Sequence, residues 1–195
     1  MTTTIAPRQW AMGAAIQMQR QAQQVAELPE PQLLGAESLL FARIREDGPG
    51  IIDTLTNPQK IDRDRCIYIF DLNPDADGEE ILAAATSAKK ARDFALPQIN
   101  SAPSRTLYVG SSIATGNRRG TLKTRLSQHI LATSPKTYAL SLAHWTGGLT
   151  GGLVVSAWQY PDSGGDEDMR PAILAVEDWL STQRRPLLGQ RGTKN

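Results

Sequence analysis

The chain has 195 residues, 40% hydrophobic and 21% charged, the balance of an ordinary globular protein with room for one full core. No run approaches the roughly eighteen uninterrupted apolar residues of a membrane span, and residues 1–24 lack the compact apolar core and cleavage site of a secretory signal. A cytoplasmic protein with no membrane partner is expected. Cys66 is the only cysteine, which excludes an internal disulfide and a multi-cysteine zinc site.

In chain order, residues 12–28 predict a helix rich in Ala, Gln and Met, closed by Pro29 and Pro31. Residues 36–46 (AESLLFARIRE) predict a second helix, stopped at Gly48-Pro49-Gly50, with a polar connection over 51–64. Cys66-Ile67-Tyr68-Ile69-Phe70 is a β-branched and aromatic run before Asn73-Pro74 and reads as a strand, with Cys66 buried inside it. Residues 78–95 follow as a helix, with Glu79 and Glu80 at its start and Lys89, Lys90 and Arg92 near its end, as the helix dipole favours. Thr106 to Val109 forms the next strand.

Residues 121–132 (TLKTRLSQHILA) make the clearest amphipathic helix, with Leu122, Leu126 and Ile130 on one stripe. A short helix is expected at 136–145 before the glycine-rich turn at 147–152. His144 and Trp145 are expected to be structural there. Residues 153–160 (LVVSAWQY) read as a third strand. A last helix has a body over 172–183, with Asp166 to Asp168 before it and Pro171 in its first turn.

Charge divides unevenly along this order. Residues 1–101 carry 10 basic and 14 acidic side chains, a balance of −4, whereas residues 102–195 carry 11 and 6, a balance of +5. The second half is therefore the part suited to a polyanion, although many surfaces of this charge meet none.

Three features stand out among these elements. Glu177 falls within the apolar arc of Ile173, Val176 and Leu180, where an ionised carboxylate is costly without a partner. It is an edge position with its tip in solvent, an acid salt-bridged to an arginine, or a metal ligand or catalytic acid whose burial a cation compensates. Arg125 and His129 are four apart and share a helix face bordering the Leu122 stripe. Tyr68 and Tyr108 each sit centrally in a strand, as many tyrosines do.

Their order carries more than any one of them. The chain reads C-I-Y at 66–68, Y-V-G-S-S at 108–112 and L-K-T-R-L-S-Q-H at 122–129, followed by Glu177 and P-L-L-G at 186–189. Over residues 64–192 this resembles the GIY-YIG nuclease family: a GIY strand, a YIG or YVG strand, an Arg-Leu-x-x-His helix, and a helical Glu before a Pro-x-x-Asn segment. Y-V-G-S-S followed by R-L-S-Q-H is the specific part.

The resemblance implies an α+β domain over 61–195, with a small antiparallel three-stranded sheet flanked by helices and a helical insert at about 71–105. Residues 1–60 would be a helical N-terminal extension. It further implies a divalent-metal-dependent endonuclease acting on nucleic acid, with double-stranded DNA expected, and Mg2+ or Mn2+ as cofactor. Tyr68 matches the tyrosine that deprotonates the attacking water, and Tyr108 the one that orients groups around the phosphate. Arg125 matches the arginine that steadies phosphoryl charge, His129 the supporting histidine, and Glu177 the single carboxylate ligand of the metal.

Three departures accompany the likeness. Cys66 replaces a glycine, Gly189 stands where the family has asparagine, and the inserts at 71–105 and 113–121 are long. The second insert contains Asn117-Arg118-Arg119-Gly120; Arg118, Arg119 and Lys123 are the candidate nucleic-acid contacts, with a plain basic loop as the alternative. Two other functions fit the same string: a non-catalytic nucleic-acid-binding module on this fold, and a nuclease toxin or defence effector whose residues 1–60 dock or regulate. The sequence leaves the oligomeric state open, a homodimer included.

Overall fold

The structure is a computed structural model that describes residues 7–57, 65–100, 103–113, 121–161 and 169–189. Its centre is a four-stranded antiparallel sheet rather than a three-stranded one, in the order β1-β4-β2-β3. The strands are β1 (Gln32–Leu40), β2 (Arg65–Leu72), β3 (Thr106–Ile113) and β4 (Gly152–Gln159). The helices are α1 (Pro7–Ala26), α2 (Ile44–Leu55), α3 (Gly78–Ala91), α4 (Leu122–Leu131), α5 (Leu142–Trp145) and α6 (Arg170–Arg184).

The extra strand corrects the expected helix at 36–46. Ala-Glu-Ser-Leu-Leu has good helix propensity, but β4 offers a free edge to pair with, and tertiary pairing overrides local preference. Leu34 and Leu39 are thereby buried. The helix begins later, at Ile44, and runs through Gly48-Pro49-Gly50 instead of stopping there. Gly48 sets how closely that helix packs. A Cβ on it would stand 2.8 Å from Ile130 and 2.9 Å from Leu131, so the missing side chain lets α2 lie directly on α4. Residues 32–55, expected in a helical extension, thus supply a strand, a helix and part of the main core.

Strand β2 is apolar from Cys66 to Phe70 because both its faces are covered there. Cys66, Tyr68, Phe70 and Leu72 point to one side, into a core with Ile44, Ile52 and Leu55 of α2 and Leu122, Leu126 and Ile130 of α4. Ile67 and Ile69 point to the other, against Ile173, Val176 and Leu180 of α6. The insert after β2 is helical only to Ala91, where Arg92 turns left-handed (φ 61°). Asp77 caps that helix, its carboxylate accepting from the Glu79 amide at 2.8 Å. The helix expected over 136–145 shrinks to Leu142–Trp145, because Ser141 is itself left-handed (φ 50°) and the preceding chain bends toward α4. Among the described residues no helix is long and apolar enough to cross a membrane.

Candidate active site at the β3 edge

β3 is an edge strand, so side chains from both faces of the sheet can meet around it. In the antiparallel register Tyr68 lies opposite Gly110, and Phe70 opposite Tyr108. The two tyrosine rings therefore stack on the α4 side, centroids 6.4 Å apart. Gly110 makes this possible. A Cβ there would stand 2.6 Å from Tyr68 Oη and 2.7 Å from ring carbons of both tyrosines. The glycine of the Y-V-G string is thus a seat for the first tyrosine.

His129 sits fully buried beside both rings, 4.6 Å from that of Tyr108 between centroids. Its Nδ1 accepts a hydrogen bond from the Leu140 amide at 3.0 Å. An amide can only donate, so the imidazole proton is on Nε2. Nε2 lies 3.1 Å from Tyr68 Oη and must donate to it. Burial first, and then the Arg125 charge, push His129 down to about 3. The ring is therefore neutral across the physiological range, as the Leu140 bond requires. That bond is also the reason for the bend ahead of α5.

Arg125, one turn before His129 and half-buried, brings its charge close to the Tyr68 hydroxyl. The phenol oxygen thus has His129 Nε2 as donor and a guanidinium beside it. Burial nonetheless raises Tyr68 well above 10, with Tyr108 adding to the rise and Arg125 opposing it. Tyr108 rises to about 12 by burial and by the nearby charge of Glu177. Burial disfavours the charge of Arg125, but Tyr68, Tyr108 and Glu177 together hold its pKa above the usual value.

Glu177 arrives from the opposite face of the sheet. Its carboxylate accepts from the Ser111 hydroxyl, and Ser111 alternates with Gly110 onto the α6 side. Burial raises the Glu177 pKa, the Ser111 bond and Arg125 pull it down, and Asp178 pushes it up. Glu177 is no dead end in hydrocarbon, because it borders two open clefts. One, of about 340 Å3, is shared with Arg125, Arg170 and Ser111. The other, of about 450 Å3, is shared with Tyr108 and Gly189. Tyr68, Tyr108, Arg125, His129 and Glu177 therefore lie in one cluster around the β3 edge, with Tyr68 and His129 sealed and the other three at the clefts.

No family model matches the chain, and no curated protein or solved structure matches it either.

Two of the proposed nucleic-acid contacts, Arg118 and Arg119, lie outside the described residues, as do Asp166 to Asp168. Lys123 is exposed and turned toward α2, where it pairs with Asp53 at 2.9 Å; it lines neither cleft. His144 and Trp145 make contacts within the fold: the His144 ring is tilted against Phe94 with centroids 4.0 Å apart, and Trp145 donates to the Leu140 carbonyl.

Gly189 has φ +109°, and a Cβ on it would stand 3.0 Å from the Tyr108 ring. An asparagine would be strained there, since side-chain-bearing residues reach positive φ mainly near +60°. The amide comes from elsewhere. Asn100, only 5% exposed, donates through Nδ2 to the carbonyls of Pro186 (2.9 Å) and Gly189 (3.0 Å). The insert thereby holds the 186–189 segment against Tyr108, with Leu188 bridged to Ile99.

Asn100 and the Leu140 amide escape sequence reading, for no periodicity marks them. Ser111 was legible in principle. Strand alternation sets it opposite to Tyr108 and Gly110, toward whichever helix covers the second face.

Proposed function

We propose that this chain is a divalent-metal-dependent endonuclease that hydrolyses phosphodiester bonds of nucleic acid, with double-stranded DNA as the expected substrate, in the manner of the GIY-YIG family it resembles. The observation carrying this reading is that Arg125 and Glu177, from opposite faces of the sheet, border one cleft beside the two tyrosines. Arg125 offers a permanently charged, forked donor to phosphoryl oxygens.

Among the described residues no group of three or more His, Cys, Asp and Glu side chains could hold a metal, so Glu177 would bind as a lone carboxylate. Such a donor set fits Mg2+ or Mn2+ retaining most of its waters. Burial also favours this, since a cation would relieve the cost of ionising Glu177. Once bound, the ion would polarise a water and neutralise phosphoryl charge.

Burial leaves both phenols reluctant to ionise. Proton transfer to Tyr68 or Tyr108 therefore depends on positive charge beside them, and Arg125 is the resident source. The sealed position of Tyr68 favours a second reading, a nucleic-acid-binding module without catalysis.

One assay separates the two. Purified protein is expected to nick plasmid DNA with magnesium, and Glu177→Gln and Arg125→Ala are each expected to lose about 100-fold or more in rate with unchanged circular dichroism. Binding without magnesium-dependent cleavage by the parent would select the second reading. Normal cutting by both variants would remove this site from the reaction.

A further inference from the structure

Glu177 separates two clefts of opposite character. The cleft with Ser111 and Arg125 also contains Arg170, at the start of α6, so the described residues lining it bring two guanidinium groups and one carboxylate. The other is lined by Pro97, Gln98, Tyr108, Tyr138, Asp178 and Gly189 among others. No Lys or Arg is among the described residues lining it. Its volume of about 450 Å3 lies within the range of ~300–1,000 Å3 usual for small-molecule sites.

This second cleft repels phosphate but suits a flat, uncharged ring. Tyr138 stands at it 73% exposed, a large aromatic ring that the core does not use. Gln98 is exposed beside it and carries both a donor and an acceptor.

We propose that the clefts divide one nucleotide between them: the Arg125–Arg170 cleft takes the sugar–phosphate backbone, and the Tyr138–Gln98 cleft takes an unstacked nucleobase next to the phosphate held at Glu177. The base stacks on the Tyr138 ring, a contact every base can make, and Gln98 meets its edge. This rests on the nuclease reading and adds to it a requirement for a base displaced from the helix or already single-stranded. Arg170 then contributes to phosphate affinity, and Tyr138 to holding the strand.

The test uses the full chain with calcium in place of magnesium and a short single-stranded oligodeoxynucleotide carrying one 2-aminopurine. Binding is expected to quench the probe. Tyr138→Ala should weaken binding about 5- to 100-fold, as loss of one stacked base does, and abolish the quench. Tyr138→Phe, which keeps the ring, should retain both. Arg170→Ala should weaken binding and flatten its salt dependence by about one phosphate contact while leaving the quench of the bound state. Magnesium-dependent cleavage with Tyr138→Ala binding and quenching like the parent overturns the base subsite alone. A parent that neither binds nor cuts nucleic acid overturns the nuclease reading and this inference together.

Discussion

The two faces of the sheet solve the same problem in opposite ways. On the α4 face, the Tyr68 hydroxyl and His129 imidazole are hydrogen-bonded in a dry core, and the Leu140 amide fixes the tautomer. On the α6 face, Glu177 also has one hydrogen bond, from Ser111, but it borders open clefts and keeps acceptor capacity to spare. The first arrangement gives orientation, since both imidazole nitrogens are committed. The second leaves room for an incoming group. Arg125 joins them, beside Tyr68 on one side and facing Glu177 on the other.

The comparison can be broken most severely at Gly110. Gly110→Ala would drive a methyl group into two rigid rings, and overpacking of this kind costs ~1–3 kcal/mol or more. A value near or above the top of that range is expected in urea unfolding, with cleavage lost as well. An alanine variant as stable as the parent would mean that the tyrosines do not close over this residue.

Substitutions on the two faces should then differ in sign. Tyr68→Phe leaves the His129 Nε2–H without its acceptor and is expected to cost about 1–3 kcal/mol. Glu177→Gln removes a carboxylate whose ionisation burial opposes, so its stability should equal or exceed the parent's even as cleavage disappears. Equal losses in both would erase the distinction between the faces.

The smallest effect expected is a pH dependence. His129 titrates at about 3 when folded and near 6.5 when unfolded. Between these values the unfolded chain binds a proton that the native chain refuses, so stability falls as pH falls through that window. A loss of about 1–2 kcal/mol from pH 7 to pH 5 should vanish from the difference curve in His129→Gln. On the nuclease reading, cleavage is expected to show its own acid limb, since the proposed role of Glu177 needs it ionised and burial raises the pH at which it protonates.

The amino-acid sequence alone specified the elements with strong periodicity. The β-branched run at 66–70, the Leu122-Leu126-Ile130 stripe and the arc of α6 each declare a strand or a helix through local pattern, and each formed. Tyr68, Arg125, His129 and Glu177 sit on those elements, but their order was read as a site only through the resemblance to a known family. What local pattern could not decide was set by partners distant in the chain. Residues 32–40 became a strand because β4 had an unpaired edge, and Gly48-Pro49-Gly50 lies within a helix packed closely on α4. Asn100 reached the 186–189 segment only through the fold, and the Leu140 amide fixed a tautomer eleven residues away. Hydrophobic spacing is written along one element. Edge pairing, close helix contact and the satisfaction of buried polar groups belong to pairs of elements, and exist only once the chain has closed on itself.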